Sequence, residues 1–147
     1  MADTPGEIDA DIVVLPREHH TLVLLRGTLD RMASAPVRRR LQEIADAHPG
    51  PLVVDLAELA FLDAAGMRAL SAVARHCAEN VPGPGGLALV GARPFTVRMF
   101  RLLRLHESVP LCADVREALW CLIPPTDEEI AAWLDPGWPG PARALDH

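Results

Sequence analysis

The residues of this 147-residue chain that could do nucleophilic or metal chemistry are few: six histidines, three cysteines and three serines. His19 and His20 are neighbours in an early turn, where adjacent side chains on extended backbone point apart. That arrangement disfavours a metal site and predicts two solvated turn residues. His76 and Cys77 adjoin on a predicted helix, and i, i+1 side chains do not face each other, so a Cys–His nucleophile is not expected. Cys77, Cys112 and Cys121 are odd in number and form no CxxC pair, which predicts reduced core residues of a cytosolic protein. Ser34, Ser71 and Ser108 fall at a cap, inside a helix and in a loop. Gly83, Gly85 and Gly86 precede a strand, whereas a dinucleotide-binding loop follows one and opens a helix. There is no GxSxG, P-loop or HExxH motif. The expectation is a non-enzyme without metal or cofactor.

Two aspartates carry more promise. Asp63 precedes a helix expected from about Ala65 to Glu79, and its carboxylate suits that helix start. Asp30 follows a strand and opens the loop to the helix expected from Ser34. The elements around them follow from periodicity. Ile8, Ala10, Ile12 and Val14 alternate as in a half-buried strand, and Pro16–His20 supplies a turn. Thr21–Arg26, Leu52–Leu56 and Leu87–Val90 are near-continuous apolar runs suited to strands covered on both faces. Gly27-Thr-Leu-Asp30 is expected to end the first of these.

Ser34 is the expected cap of the first helix, with Pro36 in its first turn and Val37, Leu41, Ile44 and Ala45 on one face. Arg38-Arg39-Arg40 reads as a solvated helix face. In the second helix Leu70, Val73, Ala74 and Cys77 should point inward. The breaker-rich stretch 81–86 connects it to the next strand. A third helix, Pro94–Leu103, should bury a stripe of Phe95, Met99, Leu102 and Leu103. Ser108–Leu111 reads as a short last strand, and Asp114 caps a helix to about Cys121. Thr126-Asp-Glu-Glu129 forms a capping box for a short helix through Leu134. Trp133 and Trp138 in this tail are expected to pack back on the body.

Strands alternating with helices give an α/β fold with a mostly parallel sheet. At 147 residues, 50% hydrophobic and 23% charged, the chain fits one packed domain of the usual roughly 100–200 residues. All 14 basic residues are Arg, and Lys and Tyr are absent, which reads as the codon bias of a GC-rich bacterial genome. The net charge of −6 is carried by the ends: residues 1–18 and 122–147 each hold five acids and one Arg. A nearly neutral body with acidic ends is a poor nucleic-acid binder. No run approaches 18 apolar residues and the start is acidic, so membrane insertion and export are not expected.

The segment Leu52-Val-Val-Asp-Leu-Ala-Glu-Leu-Ala-Phe-Leu-Asp-Ala-Ala-Gly-Met-Arg-Ala-Leu70 resembles the central motif of STAS domains, the family of bacterial anti-sigma-factor antagonists. Gly27-Thr-Leu-Asp30 resembles the family's Gly-x-Leu-Asp. Val97-Arg98, Leu102, Leu105, Val109 and Asp114-Val-Arg-Glu-Ala-Leu119 resemble its closing stretch. The resemblance covers residues 8–121, leaving 1–7 as a flexible start and 122–147 as a tail.

The resemblance implies a small mixed sheet of four to five strands, helices mainly on one face, and a cytoplasmic protein-interaction module in transcription regulation by partner switching. Its implied partner is an anti-sigma factor or serine-kinase-type regulator, contacted through Asp30, Asp63, Ala64, Ala65, Gly66 and Met67. A homodimer stays open. In the family, phosphorylation of the serine just before the glycine ends docking, but here those positions are Ala64 and Ala65. The usual switch therefore has no hydroxyl at Ala65; Thr28 and Ser71 are the nearest in sequence. Arg104 replaces a frequent helix-ending glycine, which implies a helix end without a left-handed cap. Two alternatives remain: a STAS subunit of a transporter or multi-protein signalling assembly, and a small-ligand-binding α/β domain.

Overall fold

The structure is a computed structural model that describes residues 9–80, 86–123 and 126–134. Ile8, the loop residues 81–85 and Trp138 lie outside the described residues, as does the side chain of Trp133. Five strands form one sheet in the order β1-β2-β3-β4-β5. They are β1 (Ala10–Pro16), β2 (Thr21–Leu29), β3 (Pro51–Leu62), β4 (Gly86–Val90) and β5 (Leu111–Cys112). β1 runs antiparallel to β2, and every later pairing is parallel. Among the described residues the helices are α1 (Arg31–Ala47), α2 (Ala64–Asn80), α3 (Pro94–Leu102), α4 (Val115–Leu122) and α5 (Asp127–Trp133), with a single 3-10 turn at Leu105–Glu107. The architecture is the expected α/β fold with a mixed, mostly parallel sheet.

Strand alternation sorts the apolar residues into two layers. Val23, Leu25, Val54, Leu56, Leu87 and Leu89 face α1 and α2 and join their Leu41, Ile44, Leu70 and Val73 in the main core. Val53, Ala88 and Val90 point the other way, against Ala118, Leu119 and Leu122 of α4. Both central strands are thus buried on two sides, which is why they are written as continuous apolar runs.

Several local expectations are corrected. β2 and β3 run past Arg26 and Leu56 to Leu29 and Leu62, with register shifts between Leu24 and Arg26 and between Gly27 and Thr28. Asp30, rather than Ser34, caps α1; its Oδ1 accepts the N–H groups of Met32 and Ala33, both at 3.0 Å. Ser34 lies one turn inside and donates to the Arg31 carbonyl. Pro36 therefore sits in the second turn, where its missing N–H leaves the Met32 carbonyl without a helical donor.

In α3 the buried residue is Phe100, with Met99 and Leu103 half-buried beside it, whereas Phe95 and Leu102 are exposed. Arg104 adopts the left-handed conformation at φ 60°, so the cap geometry is present without glycine. Ser108 and Val109 are not strand; β5 holds Leu111 and Cys112 alone. His20 is buried, unlike the exposed His19 beside Glu18. Cys121 is exposed, 3.8 Å from the buried Cys112 thiol. The capping box of Thr126 and Glu129 is formed as expected.

Candidate functional site

Leu29 and Leu62 are register partners at the ends of the parallel strands β2 and β3. Each is followed by an aspartate and then a helix, so Asp30 and Asp63 emerge side by side at one strand spacing of about 4.8 Å. This pairing of equal strand ends positions the site. The Asp63 N–H donates to the Leu29 carbonyl at 3.3 Å, tying the two exits together.

Asp63 serves both helices. Its Oδ1 accepts the Gly66 N–H at 2.9 Å, capping α2, and its Oδ2 accepts the Arg31 N–H at 3.1 Å, at the start of α1. With the Asp30 contacts, two carboxylates satisfy four helix-start donors: those of Arg31, Met32, Ala33 and Gly66. Negative groups are stabilising at such ends, and here they fix both helices with little freedom.

Gly66 explains how α2 approaches so closely. A Cβ there would lie 2.5 Å from the Leu29 carbonyl oxygen and 2.7 Å from Leu62 Cδ1. No side chain fits that space. Met67 is 2% exposed and belongs to the core. Among the six expected contact residues, Asp30, Asp63, Ala64 and Ala65 line one open depression, and Gly66 and Met67 support it from beneath.

The sequence reading missed Arg31 and Met32, which line the same depression. Met32 is 68% exposed, a large apolar side chain beside Ala64 and Ala65. The signal available in the sequence is an apolar residue two places after a capping aspartate, which a cap at Ser34 hides. A second, adjoining groove between α1 and α2 is lined by Ser34, Arg38, Ala65 and Arg68 among others. Ser34 is therefore the hydroxyl that shares a groove with Ala65. Thr28 lies within β2, and Ser71 is fully buried and accepts from Arg75.

Away from this depression, His76 and the buried thiols have structural surroundings of their own. His76 Nε2 meets Asp46 Oδ1 at 2.9 Å, joining α2 to α1 rather than facing Cys77. Burial, then the Asp46 carboxylate, pushes the Cys77 thiol up to about 11. Burial, then the Cys121 thiol, pushes Cys112 up to about 12. Such thiols are poor nucleophiles at neutral pH. Among the described residues no group of three or more His, Cys, Asp or Glu side chains is placed to hold a metal ion. Among them, too, no helix is long and apolar enough to cross a membrane.

Comparison with known proteins identifies the family and the fold. The family model described as "Mlab, STAS domain" matches residues 15–115. The chain belongs to the STAS domain family. No curated protein sequence matches it. Solved structures share its fold. An anti-sigma factor antagonist from Mycobacterium paratuberculosis is 22% identical with a TM-score of 0.65, covering 82% of this chain and 98% of that one. The antagonist SpoIIAA in its unphosphorylated form is 18% identical, TM-score 0.58, covering 76% and 95%. A serine-to-glutamate variant of RsbS from Moorella thermoacetica is 22% identical, TM-score 0.56, covering 76% and 93%.

Proposed function

We propose that this chain is a non-catalytic regulatory module that binds an anti-sigma factor or related serine-kinase-type regulator, in the manner of an anti-sigma-factor antagonist. The observation that carries the reading is the shared depression at the paired helix starts. Asp30 and Asp63 spend their carboxylates on backbone N–H groups, leaving the small Ala64 and Ala65 and the exposed Met32 as the contact surface. Such a surface favours shape-complementary docking over catalysis. It offers an apolar anchor beside small residues and no nucleophile–base pair.

At the position before Gly66 the family's hydroxyl is replaced by the Ala65 methyl group. A methyl group takes no phosphoryl group, so docking through this surface is not ended by phosphorylation at Ala65. The module stays in the competent charge state.

Affinity capture from the native cells tests this, using the full chain and its Ala65→Asp variant as parallel baits. The expected result is a serine-kinase-type regulator retained by the native chain and lost from the variant. Equal retention by both would place the interface elsewhere. The matched family description names a STAS domain without naming an antagonist, which keeps a second reading: a STAS subunit of a transporter or multi-protein signalling assembly. In that case the captured protein would be an assembly component without kinase-type sequence.

A further inference from the structure

Helix α3 presents a face that the described residues leave uncovered. Phe95 is 71% exposed and Leu102 68% exposed, and with Arg98 between them they follow an i, i+3, i+7 stripe. A groove along this face is lined by Ala92, Pro94, Val97, Arg98, Arg101 and Leu102. From Asn80 to His106 the chain carries four arginines, Arg93, Arg98, Arg101 and Arg104, and no acid. Among the described residues none of these four guanidiniums has an ion pair or side-chain hydrogen bond. An apolar stripe flanked by unneutralised cations calls for an acidic, amphipathic occupant.

The same chain carries one. In α5 Asp127, Glu128 and Glu129 fill the first turn, and Ile130 and Leu134 are 41% and 81% exposed. Glu129 is used in the capping box, which leaves Asp127 and Glu128 available. Asp127, Ile130 and Leu134 share one face at i, i+3, i+7, an acid leading two apolar residues, opposite in charge to the arginine-bearing stripe of Phe95, Arg98 and Leu102. A seven-residue helix is also far below the length that is stable alone in water, so α5 needs a surface to pack on.

Its own α3 is badly placed for that. Leu122, the end of α4, lies beside Gly86 at the start of β4, whereas α3 begins beyond Val90 at the other end of that strand. Only four residues of sequence separate Leu122 from α5. We propose that α5 of one copy docks on α3 of a second copy, and that the exchange is reciprocal. Two such contacts make a self-complementary, two-fold dimer. Each buries a small area, so the association is weak and salt-sensitive. The groove lined by Pro94, Val97 and Leu102, with the exposed Phe95 beside it, favours a protein helix over a lipid surface.

Sedimentation velocity of the full chain over a wide concentration range tests this, at low and at high salt. The expected result is a monomer–dimer equilibrium weakened by salt. Arg98→Glu with Arg101→Glu, and separately Asp127→Arg with Glu128→Arg, should each raise the dissociation constant roughly tenfold or more. Mixing the two charge-reversed chains should restore association as a one-to-one heterodimer. Because the reversed α5 charges could also loosen that helix, Leu134→Ser, outside the capping box, provides a second arm and should weaken the dimer as well. A chain that stays monomeric throughout overturns the proposal. So does a dimer indifferent to the α3 variants and to Leu134→Ser. Binding of α3 to phosphatidylglycerol vesicles without self-association would likewise overturn it and make this face a lipid contact.

Discussion

The Asp63 carboxylate accepts the Arg31 N–H at 3.1 Å across 32 residues of sequence, while its other oxygen caps α2 at the Gly66 N–H. One side chain therefore holds the starts of two helices, and it can do so because Leu29 and Leu62 end their strands in register. Asp63→Ala should remove both bonds and cost about 2–3 kcal/mol, against about 1 kcal/mol for Asp30→Ala, whose loss affects α1 alone. Urea denaturation of the two variants measures the difference. Equal losses would contradict the two-helix role of Asp63.

Gly66→Ala should destabilise the fold by about 1–3 kcal/mol, since a methyl group placed 2.5 Å from the Leu29 carbonyl must push α2 off the sheet. Ala64→Gly should cost less, because Ala64 lies on the half-exposed surface rather than against the sheet. Thermal unfolding ranks the pair. A Gly66→Ala protein as stable as the native chain would contradict the close approach.

Asp63 is legible in the sequence as a helix start, whereas Asp30 reads as the opening of a loop, and the partnership of the two does not show. Periodicity identifies strands and helices; it does not show that two strands end level with one another. Asp30 and Ser34 both precede the apolar face of α1, and either could cap it, so the extra turn and the exposure of Met32 were missed. In α3 the stripe through Phe95 and the stripe through Phe100 both fit helical spacing, and only packing against the sheet selects the second. Arg104 shows the same limit: the left-handed turn is imposed by the chain path into the Leu105–Glu107 turn, without a glycine to announce it. The burial of His20 likewise depends on tertiary packing that a turn assignment cannot show.

Stability should fall in alkali through the buried thiols. Cys77 is raised from 9.0 to about 11 and Cys112 from 9.0 to about 12. A thiol whose folded pKa exceeds its unfolded value favours the fold fully below pH 9.0, and that contribution is lost as pH rises through the folded value. Urea midpoints should hold up to the unfolded pKa and then decline, and Cys77→Ala should lessen the decline. In alkylation at neutral pH, the exposed Cys121 should react before the other two. An unchanged alkaline slope in Cys77→Ala would contradict the assignment.

Incubation with ATP and the regulator captured from the native cells should leave the mass of peptide 52–75 unchanged. Its only hydroxyl is Ser71, which is fully buried. A phosphoryl adduct on that peptide would overturn the account of a missing switch. An adduct at Ser34 would instead place modification in the groove it shares with Ala65.

The most direct test is the affinity of the captured regulator for the native chain and for Ala65→Asp, measured by calorimetry beside the thermal midpoint of each. A carboxylate in the first turn of α2 is compatible with the helix dipole, so the midpoint should hardly move. A packed partner surface, by contrast, should lose about 2–5 kcal/mol of binding to the added, desolvated charge. Collapse of affinity at an unchanged midpoint is the predicted result. Binding by Ala65→Asp as tight as that of the native chain would contradict the central claim that partners dock where Asp63 joins the two helices.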